Sequence, residues 1–313
     1  MPLGPGTSNI TPGIVAPPRM QARVETVSRQ FDRRVGRMAT HDLLLREVGR
    51  RLISRLEYIK LAPLRMLDVG CGLGRARSEL HAVYPDAEWI GVELSSAMAR
   101  AGRQGQQRAL GLARWWRRTA HWVIADGARL PFADDTADLV FSNLMLHWHP
   151  TPHVAFPEWK RVLRVDGLLM FSCFGPDTLK ELRAGVKETL PHARPMPFVD
   201  MHDFGDMLVA SGFATPVMDV ETITLTYSSP QALLDEVRAL GASPLDNRWP
   251  ALPSGRQARL LLDALVARRD GMGRIPLTFE VAYGHAWKPA PRAVGVSKVS
   301  LESLHAGLSR GKQ

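Results

Sequence analysis

Between residues 24 and 58 apolar side chains recur three or four positions apart, at Phe31, Val35, Met38, Leu43, Leu44, Val48, Leu52, Ile53 and Leu56. That is the spacing of one helix face, so a helical segment is predicted ahead of the first strand. Short apolar runs at 65–69, 89–93, 121–125, 139–142 and 168–174 then read as strands. Between them lie helix-spaced stretches at 78–83, along a long basic segment after Ser95, and at 154–163. Alternation of this kind builds a parallel sheet with helices on both faces. Beyond Gly175 the rhythm changes. Helices are expected at 178–190, capped by the Asp177 carboxylate, at 203–211 with a stop at Gly212, and at 231–240 and 256–269. In 217–227 Thr222, Thr224 and Thr226 alternate with Ile223, Leu225 and Tyr227, which marks a strand; with 277–287 it extends the sheet.

The chain of 313 residues is long for one doubly wound domain, so a core with additions is expected. Residues 1–22, rich in Pro, Gly and Thr and without the layout of a signal peptide, read as a disordered leader. Residues 23–60 form the helical segment, 61–290 the α/β domain with helical insertions, and 291–313 a loose tail. No apolar run reaches the roughly 18 residues that a membrane span needs. Cys71 and Cys173 are too few and too differently placed for a disulfide framework or a zinc site, so a reducing cytoplasm and no metal are expected.

A net charge of +9, carried mostly by arginine, would steer an acidic partner toward the surface without choosing which one. The densest basic cluster is Arg100, Arg103, Arg108, Arg114, Arg117 and Arg118, beside Trp115 and Trp116. Basic residues interleaved with aromatics suit RNA. A solvated helix face with its tryptophans packed on the domain is the simpler reading, and nucleic acid is not expected.

The most function-specific text runs from Met66 through Asp68, Gly70, Cys71, Gly72 and Gly74 to Arg75. A strand ends at an acid and enters three alternating glycines, a turn against which a ligand can press closely. A dinucleotide fingerprint, G-x-G-x-x-G, would need glycine where Arg75 stands. The pattern is instead D-x-G-x-G-x-G, and Glu93 ends the next strand.

With those residues the chain resembles the class I S-adenosylmethionine-dependent methyltransferases. The resemblance implies an α/β, Rossmann-like fold with a seven-stranded, mostly parallel sheet, helices on both faces, an N-terminal helical segment and C-terminal helical additions. It also implies S-adenosylmethionine as cofactor. The methionyl part would lie on Asp68, Gly70, Gly72 and Gly74, and Glu93, with Leu94 beside it, would accept both ribose hydroxyls. Asp126 would accept the adenine amino group next to Gly127, and strand four would bring Asn143 and His147 toward the transferable methyl.

Two narrower resemblances follow. Phe31, Asp32, Arg33 and Arg34, together with Ser142 to Leu144 and Trp148, resemble the malonyl-acyl-carrier-protein O-methyltransferases of biotin synthesis, although Met38 stands where many members carry Tyr. Leu146 to Trp148 and Phe174 to Arg183 are similar to a mitochondrial complex I assembly factor that hydroxylates arginine. The first implies an acidic acyl carrier protein bearing malonyl as partner. Its chemistry needs no general base, because a malonyl carboxyl with pKa near 4 or below is ionised at neutral pH. No Ser/His/Asp or Cys/His set is evident. The acceptor carboxylate needs a cation in an apolar site, and Arg183 is expected to supply it, with Arg33 and Arg34 next. The second would require oxygen activation, usually by a two-His-one-carboxylate iron site, and neither His147-Trp148-His149 nor His202-Asp203 has that layout.

Overall fold

β1 (Arg65–Val69) is buried along nearly its whole length because parallel strands hydrogen-bond to it on both edges. The computed structural model describes residues 24–110, 120–190, 197–240 and 255–291. The leader, the centre of the Arg- and Trp-rich segment, most of the Pro-rich loop and most of the tail fall outside the described residues. The other strands are β2 (Glu88–Glu93), β3 (His121–Ile124), β4 (Ala137–Asn143), β5 (Leu163–Phe174), β6 (Ala214–Tyr227) and β7 (Ile275–Trp287). They form one sheet in the order β3-β2-β1-β4-β5-β7-β6. The first five strands are mutually parallel, and β7 runs antiparallel between β5 and β6. The order reverses between β1 and β4, and such a reversal opens a crevice outside the carboxyl ends of the strands.

Alternate side chains feed opposite faces. Met66, Trp89, Phe141 and Met170 enter one core and Leu67, Ile90, Val140 and Phe171 the other. On the first face pack α3 (Leu43–Ser54), α4 (Arg77–Val83), α7 (Lys180–Thr189), α9 (Pro230–Leu240) and α10 (Gly255–Val266), and on the second α6 (Ala155–Val162) and α8 (Met201–Ala210). α5 (Ser96–Leu110) follows β2.

One local expectation is corrected. Asp177 does not cap α7. That helix begins at Lys180 after Leu179, whose φ is 58°, and no side chain caps it. The corner is instead tied to β7: the Asp177 and Thr278 backbone N–H groups donate to the Glu280 and Glu181 carboxylates, and the Thr178 hydroxyl to the Glu280 carbonyl. Those partners lie about a hundred residues away, where local cap signals carry no information. The single periodic stretch at 24–58 breaks into α1 (Val24–Asp32), α2 (Val35–Met38), α3 and a 3-10 turn at Arg55–Tyr58. Asp32, which ends α1, serves α5: its Oδ1 accepts from the Ser95 hydroxyl at 2.6 Å and from the Ala97 N–H at 3.2 Å. An acid at a helix N-terminus suits the dipole as well as the free amides.

Candidate functional site

A cleft of about 1290 Å³, counting its open mouth, lies at the carboxyl ends of β1, β2, β3 and β4 and is roofed by α1 and α3. Four strand ends and the N-terminal helices therefore supply its walls.

Strand one brings Asp68 and the glycine turn. The Gly70 and Cys71 N–H groups donate to the Val92 carbonyl at 2.8 and 3.1 Å, which folds the turn back onto β2. Its three glycines do different work. Gly70 has φ +76°, and a Cβ there would sit 2.3 Å from Met145 Cγ. Gly72, also left-handed, would carry a Cβ into open space. Gly74 lies against Trp122, whose ring a Cβ would meet at 2.6 Å, and it is not among the cleft-lining residues. The third glycine is left-handed too, at φ +68°, and it serves packing against that ring. Asp68 is 2 % exposed, and burial pushes its carboxyl up to about 7. Burial raises the Cys71 thiol well above its ordinary value, so it stays a thiol rather than a reactive thiolate.

Strand two ends in Glu93, buried and bonded through both oxygens. Oε2 accepts the Gly72 N–H and Oε1 the Ser95 N–H, each at 2.8 Å. Burial raises its pKa while these two bonds oppose the rise. A carboxylate has about four acceptor positions, so two remain for a ligand diol. Leu94 and Met98 continue this wall.

Strand three supplies Asp126, whose Oδ1 accepts the Ala128 N–H at 2.9 Å and lies 3.4 Å from His149 Nε2. The His149 contact, partly offset by burial, holds the Asp126 carboxyl below the usual range. Because His149 Nδ1 accepts from the Thr151 N–H, the neutral ring must carry its proton on Nε2, toward Asp126. Gly127 lets Met145 and Val69 close in behind it.

At the end of strand four, Asn143 lines the cleft but is committed to its own chain: Nδ2 donates to the Leu45 carbonyl, and Oδ1 accepts from the Ser172 hydroxyl. Trp148 meets Phe31 of α1 edge to face, with ring centroids 5.4 Å apart, which joins roof to wall. The roof is also held by polar contacts: Arg75 Nε to Asp42 Oδ2 at 3.0 Å and His41 to Glu236 at 3.1 Å.

Four residues expected near the chemistry are not among those lining the cleft. The Arg183 guanidinium donates to the Pro176 carbonyl beneath the start of α7. Arg34 is half-buried beside Arg37, and burial followed by that like charge lowers its pKa. Arg33 is exposed. The His147 ring sits among Trp148, Phe174 and Phe198 at 5.0, 4.5 and 6.1 Å, and neither nitrogen has a partner among the described residues. Sequence reasoning in turn missed Met145, the Asp32 cap and Arg46 on the cleft wall. The helical spacing at 24–58 was the signal that could have led to Arg46, since it puts Leu45 and Gly49 on a packed face with Arg46 beside them.

Burial pushes His147 down to about 3, so it is neutral at physiological pH. An unfolded histidine titrates near 6.5, so below that pH the unfolded chain binds the extra proton, and stability falls by about 1.4 kcal/mol per pH unit until about 3. His147→Phe should keep the aromatic box and remove that slope. Urea midpoints at pH 7 and pH 5 check it; an undiminished acid loss in the variant would assign the slope elsewhere.

Among the described residues no group of three or more His, Cys, Asp or Glu side chains is placed to hold a metal ion, and no helix is long and apolar enough to cross a membrane.

The family profile described as "Methyltransferase domain" matches residues 67–171, from β1 into β5. The chain is 44 % identical to the malonyl-acyl-carrier-protein O-methyltransferase of Laribacter hongkongensis over 267 residues, covering 85 % of this chain and 90 % of the relative. It is 42 % identical to the Methylovorus protein of the same name, covering 88 % and 93 %, and 40 % identical to that of Legionella pneumophila, covering 79 % and 84 %. Among solved structures the YcgJ protein of Bacillus subtilis aligns with a TM-score of 0.56 at 15 % identity, over 77 % of this chain and all of that one. A Bacillus halodurans protein aligns at 0.54 and 16 %, over 76 % and 97 %. These two likenesses concern the fold alone.

Proposed function

We propose that this chain, which belongs to the malonyl-acyl-carrier-protein O-methyltransferase family, methylates the free carboxyl of a malonyl thioester carried by an acyl carrier protein in biotin synthesis, with S-adenosylmethionine as methyl donor. The observation that carries this reading is the likeness to enzymes of that name along nine-tenths of their length, with a cleft at the matched strand ends. An acidic carrier protein suits a chain of net charge +9, and the cytoplasm is where such a carrier would be met.

The residues present fit the cofactor. Gly72 leaves open space where a methionyl group would press on the backbone, Glu93 keeps two acceptor positions for a diol, and Asp126 is held ionised beside an apolar wall of Leu94 and Met145. Bound S-adenosylmethionine would supply the methyl as an electrophile on cationic sulfur. The rest is positioning. With the methyl supplied in that form, a malonyl carboxylate, already ionised, would need only to be held beside it by the chain. No proton moves, so no general base is required. The chain's contribution is to hold the two groups in line and to exclude water, tasks for the α1 and α3 roof with Phe31 and Trp148.

The test is transfer of labelled methyl from S-adenosylmethionine to malonyl-carrier protein. The product should release labelled methanol under mild alkali, as a carboxyl methyl ester does. Cofactor binding without such a product would favour a non-catalytic assembly role, and label on arginine side chains would move the acceptor to protein.

A further inference from the structure

The cleft wall holds three arginines, Arg46, Arg50 and Arg75, and two of them are already paired. Arg75 contacts Asp42 at 3.0 Å and the Ala39 carbonyl at 3.3 Å. Arg50 makes a two-pronged contact with Glu47 at 2.9 and 3.1 Å, and Glu79, which also lines the cleft, lies in the field of Arg50. Arg46 has no carboxylate or carbonyl on its guanidinium among the described residues. Of the remaining acids of the cleft, Glu93 is bonded to two backbone N–H groups and Asp126 to the Ala128 N–H beside His149, while Asp68 is buried, its Oδ2 without a partner among the described residues.

Its place is set by packing. The first turn of α3 is pinned over the end of β4 because the Leu45 carbonyl accepts from Asn143 Nδ2 at 2.9 Å. One turn on, Gly49 comes so close that a Cβ would stand 3.1 Å from the same amide nitrogen. Arg46 lies between these two anchored residues, so its backbone is fixed at the cleft wall while its side chain stays exposed. A guanidinium fork with five donors, on a cleft wall where the nearby Asp42 and Glu47 are paired with other arginines, is suited to a ligand carboxylate.

We infer that Arg46 is a carboxylate-binding residue of this cleft. The inference rests on the proposed methyltransferase reading, which brings two carboxylates to the site: the methionyl carboxylate of the cofactor and the malonyl carboxylate of the acceptor. Both present the same planar pair of oxygens to the fork. It also moves the cation sought for the acceptor away from Arg183 and Arg34, which do not line the cleft.

Arg46→Gln and Arg46→Lys separate the two sources. If the methionyl carboxylate is the ligand, the Kd for S-adenosylhomocysteine by calorimetry rises at least tenfold in Arg46→Gln, while 5′-methylthioadenosine, which lacks the carboxylate, binds wild type and variant alike. If the malonyl carboxylate is the ligand, S-adenosylhomocysteine binding stays within twofold and the KM for malonyl-carrier protein rises at least tenfold. In either case Arg46→Lys should recover only part of the loss, because an ammonium cannot reproduce the planar fork. Thermal midpoints should not move, since the side chain is exposed. Cofactor Kd and acceptor KM both within twofold in both variants would overturn the inference while leaving the activity standing. A wild-type protein that neither binds S-adenosylhomocysteine nor transfers methyl would instead overturn the functional reading, and the Arg46 inference with it.

Discussion

Glu93→Ala is expected to weaken S-adenosylhomocysteine binding by about ten- to a hundredfold, or roughly 1–3 kcal/mol. Two losses add. A ribose diol would lose a charged acceptor that burial has already freed from competing water. The turn would also lose its brace, because the Gly72 and Ser95 N–H groups both end on this carboxylate. Glu93→Gln probes the brace, since its one NH2 group must face an N–H donor across a bond now 2.8 Å long. A 2′-deoxy analogue of the ligand probes the diol: it should bind wild type more weakly than the parent compound and Glu93→Ala about equally with it. Calorimetry reads all of these. Alanine binding within twofold of wild type would remove Glu93 from the ligand site and leave it a purely structural residue.

Gly70→Ala should be as damaging by a different route. The backbone at +76° costs an alanine about 1 kcal/mol or more, and the new methyl would lie 2.3 Å from Met145 Cγ and 2.6 Å from its Cβ. Atoms that near the Met145 backbone cannot swing away as a side-chain tip can. Strand four's end or the glycine turn must therefore shift, and both form the cleft. The expected result is a lower thermal midpoint, by several degrees, together with at least tenfold weaker cofactor binding. Met145→Ala in the same chain should recover part of the midpoint by removing the Cγ overlap, but not the share that comes from φ or from the Cβ contact at 2.6 Å. Gly72→Ala makes the contrast: with φ +55° and nothing within 4 Å, it carries the backbone strain without a clash. A Gly70→Ala protein that melts and binds as wild type does would show that the turn is not held against Met145.

How far the site could be read beforehand depends on where each residue's partners lie. The D-x-G-x-G-x-G text is a local signal, since a strand, its terminal acid and a left-handed turn involve adjacent residues, and the structure puts Asp68, Gly70 and Gly72 on the cleft. Glu93 follows because parallel pairing of β1 with β2 in this register brings their ends together. Gly74 belongs to the same text and yet faces Trp122, nearly fifty positions beyond it, which no spacing rule within the turn could reveal. His147 and Arg183 are similar cases. Their residue types suit catalysis, but His147 is enclosed by Phe174 and Phe198 and Arg183 is drawn to the Pro176 carbonyl, away from the cleft wall.

By itself the order of apolar and polar positions determined the alternating strands and helices and the turn at the end of β1, because hydrophobic burial acts on periodicity and glycine acts on local backbone. The tertiary structure alone decided that one periodic helical stretch should break into a roof over the cleft, fastened by Asp32 to the start of α5 and by Asp42 to Arg75, and that Arg46 should be the arginine left facing the ligand space. Side-chain pairing is a competition among neighbours brought together from distant parts of the chain, and which charge is left without a partner emerges only when every other pair has formed.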